Sequence, residues 1–495
     1  MGSLPAERRL RAKSVCVIGA GPTGLAAAKY LLAEKVFDRI VVFEQRGDVG
    51  GIWNYTPSND QSSKDLSVPQ TSPHAGHDKP IWRNSNAAQV LSEKEEQEAE
   101  FITPLYDRLE TNIPRGLMGF SDLDWPEDCQ LFPKHGDVTQ YLKRYSQDVR
   151  HLIHFRTQVL NVSPLEDERW SIRTQKVHHS VPPSIQEDVF DAVIVANGHY
   201  NVPYIPSVSG IEAWHRSFPG AITHSKFYRR PEDYTGKKVI VVGNSASGID
   251  IGAQIAAVSK TLIISQKSES YLGSVASPNK VEKPEITEYI EKARSVRFAD
   301  GTIESDIDAV LYCTGYFYSY PFLDSLDPPV VTTGERVENL YWHILYRPNP
   351  SLSLLALNQK VIPFPVAEAQ SAVVARVLAG RLPLPDEATM KSWEEDVVSD
   401  AGNGKSFHVL KFPKDADYIN SLHDWALQAD GEGKSIGKTP PYWREKDYWT
   451  REQFPAIKKA FQEFGEERHG KRTLEDVGFS FEEWQAEKSK EQKLI

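Results

Sequence analysis

The chain has 495 residues, with 57 Lys and Arg against 68 Asp and Glu, for a net charge of −11. It therefore lacks the positive field that nucleic acid or an anionic membrane surface would require. Hydrophobic residues at 40% and charged residues at 25% are ordinary globular values, which exclude wholesale disorder and the fibrous classes, and this length predicts about two to four domains. The three cysteines, Cys16, Cys129 and Cys313, lie far apart without any CxxC. Sequence support is thus missing for a disulfide framework, a zinc knuckle or a dithiol redox centre, and free thiols suit a reducing compartment. His74 and His77 are spaced like metal ligands but have no partner motif, so no metal is expected. No run reaches the ~18 apolar residues of a membrane span, the N-terminus has no apolar signal core, and Ala6 stands where myristoylation wants Ser or Thr. The expectation is a soluble, cytoplasmic protein without membrane or nucleic-acid partners. Oligomeric state is left open, a homodimer included.

In chain order, Val15-Cys16-Val17-Ile18 is an apolar run suited to a strand buried on both faces. The turn Gly19-Ala20-Gly21-Pro22-Thr23-Gly24 follows, then an Ala/Leu-rich helix, then the strand Arg39-Ile40-Val41-Val42-Phe43 with Glu44 at its end. Strand, glycine turn, helix, strand and acid form a dinucleotide-binding unit. Gly19 makes the tight turn, Gly21 lets backbone N–H groups approach a pyrophosphate, and Gly24 permits close helix–strand packing. The helix N-terminus faces the phosphates with positive partial charge, and Glu44 suits ribose hydroxyls while disfavouring a 2′-phosphate. From Asn54 to Glu100 the sequence is polar and rich in Pro, Ser and Asn, which predicts a surface insertion with a short charged helix toward Glu98.

A second unit begins near Lys237, with the strand Lys238 to Val242, the turn Gly243-Asn244-Ser245-Ala246-Ser247-Gly248, a helix from Ile249 to Val258 and a strand from Thr261 to Ser265. Ser245 replaces the middle glycine. Lys267 follows the second strand without an adjacent acid, which suits a 2′-phosphate and so NADP, against the alternative of a solvated surface lysine. An internal echo aligns Asp191 to His199 with Asp308 to Tyr316 without gaps, predicting two related strands that end in ligand-facing turns. Beyond Asp386 the composition turns charged, with Trp393, Trp425, Trp443, Trp449 and Trp484, which predicts a helical region docked through its aromatic residues.

Together these residues resemble the class B flavin-containing monooxygenases, enzymes that use FAD, NADPH and dioxygen. The resemblance covers roughly residues 14 to 460. Glu44 with Gly50-Gly51-Ile52-Trp53 resembles the family's acid-plus-GGxW element, and Phe218, Gly220, His224 and Tyr228 reproduce its FxGxxxHxxx(Y/F) signature. Baeyer–Villiger relatives are expected to end that signature in Trp followed by Pro or Asp, whereas this chain has Tyr228-Arg229. Thr111-Asn112-Ile113-Pro114-Arg115, Phe132-Pro133-Lys134-His135 and Pro363-Phe364-Pro365 with Gln370 resemble further family blocks. The resemblance implies an α/β fold with two Rossmann-like domains of the three-layer β/β/α type, the NADP domain inserted in the FAD domain, and a helical C-terminal region. The expected spans are 1–205 for the first part of the FAD domain with its insertion at about 54–100, 206–307 for the NADP domain, 308–385 for the rest of the FAD domain, and 386–495 for the helices. For FAD the resemblance implies Gly19, Gly21, Pro22, Thr23, Gly24, Glu44, Gly51, Trp53, His135, Val159, Gly315 and Gln370. For NADP it implies Gly243, Ser245, Ser247, Gly248, Asp250, Lys267, His224 and Tyr228. Asn112 is the expected catalytic contact, the alternative being an Asn that merely caps a turn before Pro114.

The implied reaction uses NADPH to reduce FAD, dioxygen to form a flavin hydroperoxide, and a soft nucleophilic nitrogen or sulfur of a small molecule to take the distal oxygen. The cofactor then carries the reactive oxygen, so no Ser-His-Asp or paired-carboxylate constellation is needed. A disulfide reductase would need paired cysteines. A Baeyer–Villiger oxygenase and a flavin-binding protein without turnover stay open as alternatives.

Overall fold

Alternation along the first strand decides the layers. In Ser14–Ile18, Val15 and Val17 belong to one apolar core and Cys16 and Ile18 to another, as side chains that project to opposite faces must. On the first face lie the helices Pro22–Glu34 and Pro363–Leu378, and on the second the antiparallel sheet formed by Thr157–Pro164, Trp170–Lys176 and Ile185–Phe190. This is a three-layer β/β/α unit. The computed structural model describes residues 8–57, 66–84, 97–179, 184–267, 277–429 and 436–492. Its seven-stranded sheet runs in the order Leu340–Tyr341, Leu345–Tyr346, Leu352–Leu354, Ala192–Val195, Ser14–Ile18, Arg39–Phe43, Ile153–His154. The last five of these strands are parallel.

The second unit repeats the plan. Five parallel strands run in the order Ile222–His224, Ala309–Tyr312, Lys238–Val242, Thr261–Ser265, Lys280–Lys283. Val239, Val241, Leu262 and Leu311 pack on the helix Ala246–Ala256, while Ile240, Ile263 and Val310 pack on the small sheet made by Ile286–Ile290, Ser295–Phe298 and Ile303–Glu304.

The sequence echo is a structural repeat. Ala192–Val195 pairs with the first glycine-turn strand as Ala309–Tyr312 pairs with the second. Asp191 Oδ2 accepts from the N–H groups of Lys13 and Ser14 (2.7 and 2.8 Å), and Asp308 Oδ2 accepts from that of Lys238 (2.8 Å). Each acid clamps the start of the neighbouring strand. The strand Ala309–Tyr312 therefore sits in the second sheet, not with the FAD unit as the boundary at 308 expected. The chain crosses between the units twice, and the crossings are paired: Val202–Pro203 lies antiparallel to Tyr316–Phe317.

Where it is described, the segment from 54 to 100 lies mostly at the surface and is tied to the rest of the chain. Ile81–Asn84 pairs with Gln97–Glu100, Gln70 bridges to Ile205, and Asp78 accepts from Asn201 and Gln45. The expected charged helix does not include Gln97 and Glu98, which are in a strand, and residues 93–96 lie outside the described residues. The C-terminal region contains the helices Glu387–Ala401, Lys414–Leu427, Glu445–Glu463 and Phe481–Gln492. Trp443 and Trp425 dock on the first core and Trp393 stacks on Trp342, whereas Trp484 packs on Trp449 and Phe481. Among the described residues no helix is long and apolar enough to cross a membrane.

Candidate functional site

Each glycine turn has the contacts that a bare backbone makes necessary. A Cβ on Gly19, whose φ is +100°, would lie 2.8 Å from the Ala196 carbonyl oxygen, and one on Gly24 would lie 1.8 Å from the Gly19 oxygen. Gly21 differs. Its nearest neighbour would be Gly51 Cα at 3.5 Å, so the space over the turn is open on the protein side. Gly51 (φ +55°) backs that space, and its own Cβ would come within 2.9 Å of Gly21 Cα. The helix beginning at Pro22 and Thr23 has neither a side-chain cap nor an acid in its first turn, leaving its N-terminal N–H groups for an anion. These features fit a dinucleotide pyrophosphate. Glu44 is 4% exposed, with Oε2 accepting from the Ala20 N–H and Oε1 from the Arg46 N–H, both at 2.8 Å. A carboxylate has about four lone-pair sites, so ribose hydroxyls can still bind while the same acid ties the turn to the second strand. Trp53 packs on the first core and its carbonyl accepts from Thr139 Oγ1 at 2.7 Å. His135 opens the helix His135–Tyr145 with its ring 4.9 Å from Tyr55, and burial lowers its pKa. The Val159 side chain is in the second core. Gln370 is fully buried and its amide is already used: Oε1 accepts from Ala356 N (2.7 Å) and Nε2 donates to Asn358 Oδ1 (2.9 Å) and Tyr418 OH (3.0 Å).

The second turn repeats the first with its own strand partner. A Cβ on Gly243 (φ +105°) would lie 2.7 Å from the Cys313 carbonyl oxygen, and one on Gly248 would lie 2.1 Å from the Gly243 oxygen. Ser245 is the N-cap in extended conformation, so the missing glycine has no positive φ to supply. Ser245 and Ser247 are exposed, and this helix also starts without a side-chain cap or an acid. Asp250 is turned to other work, accepting from Tyr106 OH and from Gln254 Nε2 (3.1 Å), and burial raises its pKa. Lys267 is 82% exposed and pairs with Glu285 at 2.9 Å. The acid that is missing beside it in sequence is supplied by Glu285, just past the end of the neighbouring strand. The ion pair is exposed and weak, and a 2′-phosphate can compete for the lysine.

Two residues of the family signature, His224 and Tyr228, are buried, whereas Gly220 is exposed. His224 is fully buried; its Nδ1 accepts from the Lys226 N–H (3.1 Å), which leaves Nε2–H to donate to the Gly315 carbonyl (3.0 Å). Burial pushes its pKa down to about 3, so it stays neutral. Gly315 (φ +84°) also accepts from the Tyr204 N–H, so His224 and Gly315 together hold the paired crossings. Tyr228 is 1% exposed and donates to Gln254 Oε1 at 3.0 Å. Arg229, where Baeyer–Villiger relatives are expected to differ, gives its guanidinium to the carbonyls of Thr103, Leu105, Lys226 and Tyr228.

Asn112 is exposed, and its side chain has no hydrogen-bond partner among the described residues. The turn is made by its neighbour: Thr111 Oγ1 donates to the Ile113 carbonyl at 2.9 Å. The side-chain bond across this turn is thus made by Thr111. His77, singled out for its metal-like spacing, instead uses Nε2 against the Leu160 carbonyl at 2.9 Å. The cysteines are free and buried, with burial pushing Cys129 up to about 11 and Cys313 up to about 12, so neither is a ready thiolate. Sequence reasoning missed Tyr106, which donates to Asp250, Lys226, which donates to Asn201, and Glu110 and Lys458, which meet beside the Asn112 segment; no local pattern marks these long-range contacts.

The comparisons with known proteins agree with this geometry. The flavin-binding monooxygenase-like family matches residues 81–279 and 272–433, and an NAD(P)-binding Rossmann-like domain matches residues 17–81. Flavin-containing monooxygenase FMO GS-OX-like 9 of Arabidopsis thaliana is 35% identical over 445 residues, covering 84% of this chain and 89% of that protein. S-allyl-L-cysteine S-oxygenase from Allium sativum superposes with a TM-score of 0.73 at 26% identity, over 95% of this chain and 97% of that one. Cyclohexanone monooxygenase shares the fold at 12% identity and a TM-score of 0.54, over 84% of this chain and 98% of that one. The chain belongs to the flavin-binding monooxygenase-like family and is a flavin monooxygenase that also carries an NAD(P)-binding Rossmann-like domain.

Proposed function

We propose that the chain oxygenates a soft nucleophilic sulfur or nitrogen atom of a small molecule, with FAD on the first glycine turn and NADPH on the second. Bound FAD, reduced by NADPH, supplies the activated oxygen. The protein's own tasks are to hold the nucleotides, orient the reacting groups and keep out water and charge. The first unit contributes Gly19, Gly21, Gly24 and Glu44, and the second Gly243, Ser245, Ser247, Gly248 and Lys267. His224, through Gly315, holds the crossings between the units, and Tyr228 braces Gln254 on the second unit's helix.

The observation that carries the reading is Asn112, an uncharged amide with an unused donor and acceptor on a turn that others hold in place. A neutral amide can bond to the flavin or nicotinamide without bringing a charge into the cleft. Sulfur is favoured because the Allium sativum relative, alike over almost the whole chain, is an S-oxygenase. Asn112→Ala tests the reading. The variant should bind FAD and consume NADPH, yet release hydrogen peroxide in place of oxygenated product; coupled turnover in that variant contradicts it.

A further inference from the structure

The helix Glu445–Glu463 of the C-terminal region reaches the backbone on which Asn112 hangs. Lys458 Nζ donates to the Thr111 carbonyl at 2.9 Å, and that carbonyl belongs to the peptide whose nitrogen is Asn112's own. The same ammonium lies 4.4 Å from the Phe132 ring centroid and 3.9 Å from Glu110 Oε2, and its side chain is 12% exposed. Thr111 is fixed from its other side as well, with its N–H donating to the Pro133 carbonyl at 2.9 Å. Glu110 is held in turn by Arg468 at 3.2 Å and by His469 at 3.5 Å, both from the short turn that follows the helix. Asp250 of the nucleotide-binding helix also acts on Lys458, and Tyr228 of the signature reaches Asp250 through Gln254. Burial lowers the lysine's pKa while the Glu110 and Asp250 carboxylates raise it.

We propose that Lys458 is a positioning residue for the reaction, fixing the Thr111–Asn112 peptide so that the Asn112 amide is presented to the flavin site. The proposal rests on the role given to Asn112 above. A carbonyl freed from Lys458 allows the peptide plane to turn, and displacement of about 1 Å at a positioning group can cost on the order of a hundredfold in rate. Reducing equivalents then leave as peroxide, by NADPH + H⁺ + O₂ → NADP⁺ + H₂O₂.

The test compares the FAD-loaded wild type with Lys458→Met, Lys458→Arg, Asn112→Ala and the double variant Asn112→Ala/Lys458→Met. Three readouts are needed: melting temperature, the visible bands of bound flavin with and without NADP⁺, and peroxide formed per NADPH consumed. Lys458→Met should keep FAD, shift the flavin bands and raise the peroxide yield about tenfold. Lys458→Arg should restore both readouts, and Lys458→Met should add no uncoupling once Asn112 is gone. Should Lys458→Met not fold, the shorter, uncharged Lys458→Gln is read in the same way. Wild-type bands and coupling in the Lys458 variant, with Asn112→Ala uncoupled, would overturn the positioning role and leave the Asn112 reading standing. Coupled turnover in Asn112→Ala would overturn that reading itself.

Discussion

The two glycines of the first turn should separate cofactor binding from folding. Gly21 has φ −74° and ψ −176°, a conformation alanine adopts freely, and its Cβ would meet nothing nearer than Gly51 Cα at 3.5 Å. Gly21→Ala should therefore leave the protein's own fold intact, and reduced freedom of the unfolded chain should stabilise it by about 0.4–1 kcal/mol. The new methyl occupies the open space over the turn, where the pyrophosphate must approach the backbone. Losing one charge-assisted hydrogen bond there costs about 1.5–3 kcal/mol, or roughly tenfold to 150-fold in Kd. Gly24→Ala reverses the pattern, because its Cβ would fall 1.8 Å from the Gly19 oxygen. Helix and strand must move apart, at a cost of about 3 kcal/mol or more. Fluorescence titration with FAD and thermal melting of the flavin-stripped protein measure the two quantities. Wild-type FAD affinity in Gly21→Ala, or a loss of melting temperature equal to that of Gly24→Ala, would refute the reasoning.

Lys267→Glu should weaken NADPH by about 1–3 kcal/mol through repulsion of the 2′-phosphate, whereas Glu285→Gln, by freeing Lys267 from its 2.9 Å partner, should tighten it by up to about 1 kcal/mol. NADPH titrations at two salt concentrations check both, and an unchanged Kd in Lys267→Glu would assign the phosphate to another residue. Burial pushes the pKa of His224 and His343 down to about 3 and that of His199 to about 4. Their folded pKa values lie below the unfolded value of ~6.5, so their contribution is complete above that pH and falls on acidification by about 1.4 kcal/mol per pH unit for each residue. Urea midpoints measured between ~pH 7 and 5 should drop accordingly, and His224→Gln should reduce the slope by one residue's share; an identical slope would mean that His224 titrates normally. Asn112→Ala should keep FAD and divert NADPH to peroxide, read by a peroxide assay beside product analysis.

What the sequence made legible was local. The alternation in Ser14–Ile18, the spacing of the glycines and Glu44 at its strand end each concern neighbours along the chain, where periodicity and turn chemistry act directly. The echo of Asp191 in Asp308 was readable because both units need an acid to clamp a neighbouring strand. The contacts that close the site were not readable. Glu285 reaches Lys267 only because two strands lie side by side, and Lys458 meets the Thr111 carbonyl across 347 positions. A lone lysine on a charged helix carries no pattern to distinguish it from a solvated one. The signature shows the opposite gap: His224 and Tyr228 were legible as residues, but their burial, with polar atoms satisfied inside the protein, was not.

The most direct test of the central claim is one competition reaction: purified FAD-loaded protein, NADPH and air, with an alkyl thioether and a cyclic ketone present together, and all products counted against NADPH consumed. Transfer of oxygen to a nucleophilic sulfur predicts sulfoxide accumulating one for one with NADPH while the ketone is untouched. Lactone from the ketone with the thioether unchanged, or NADPH consumption that yields peroxide alone, would contradict it.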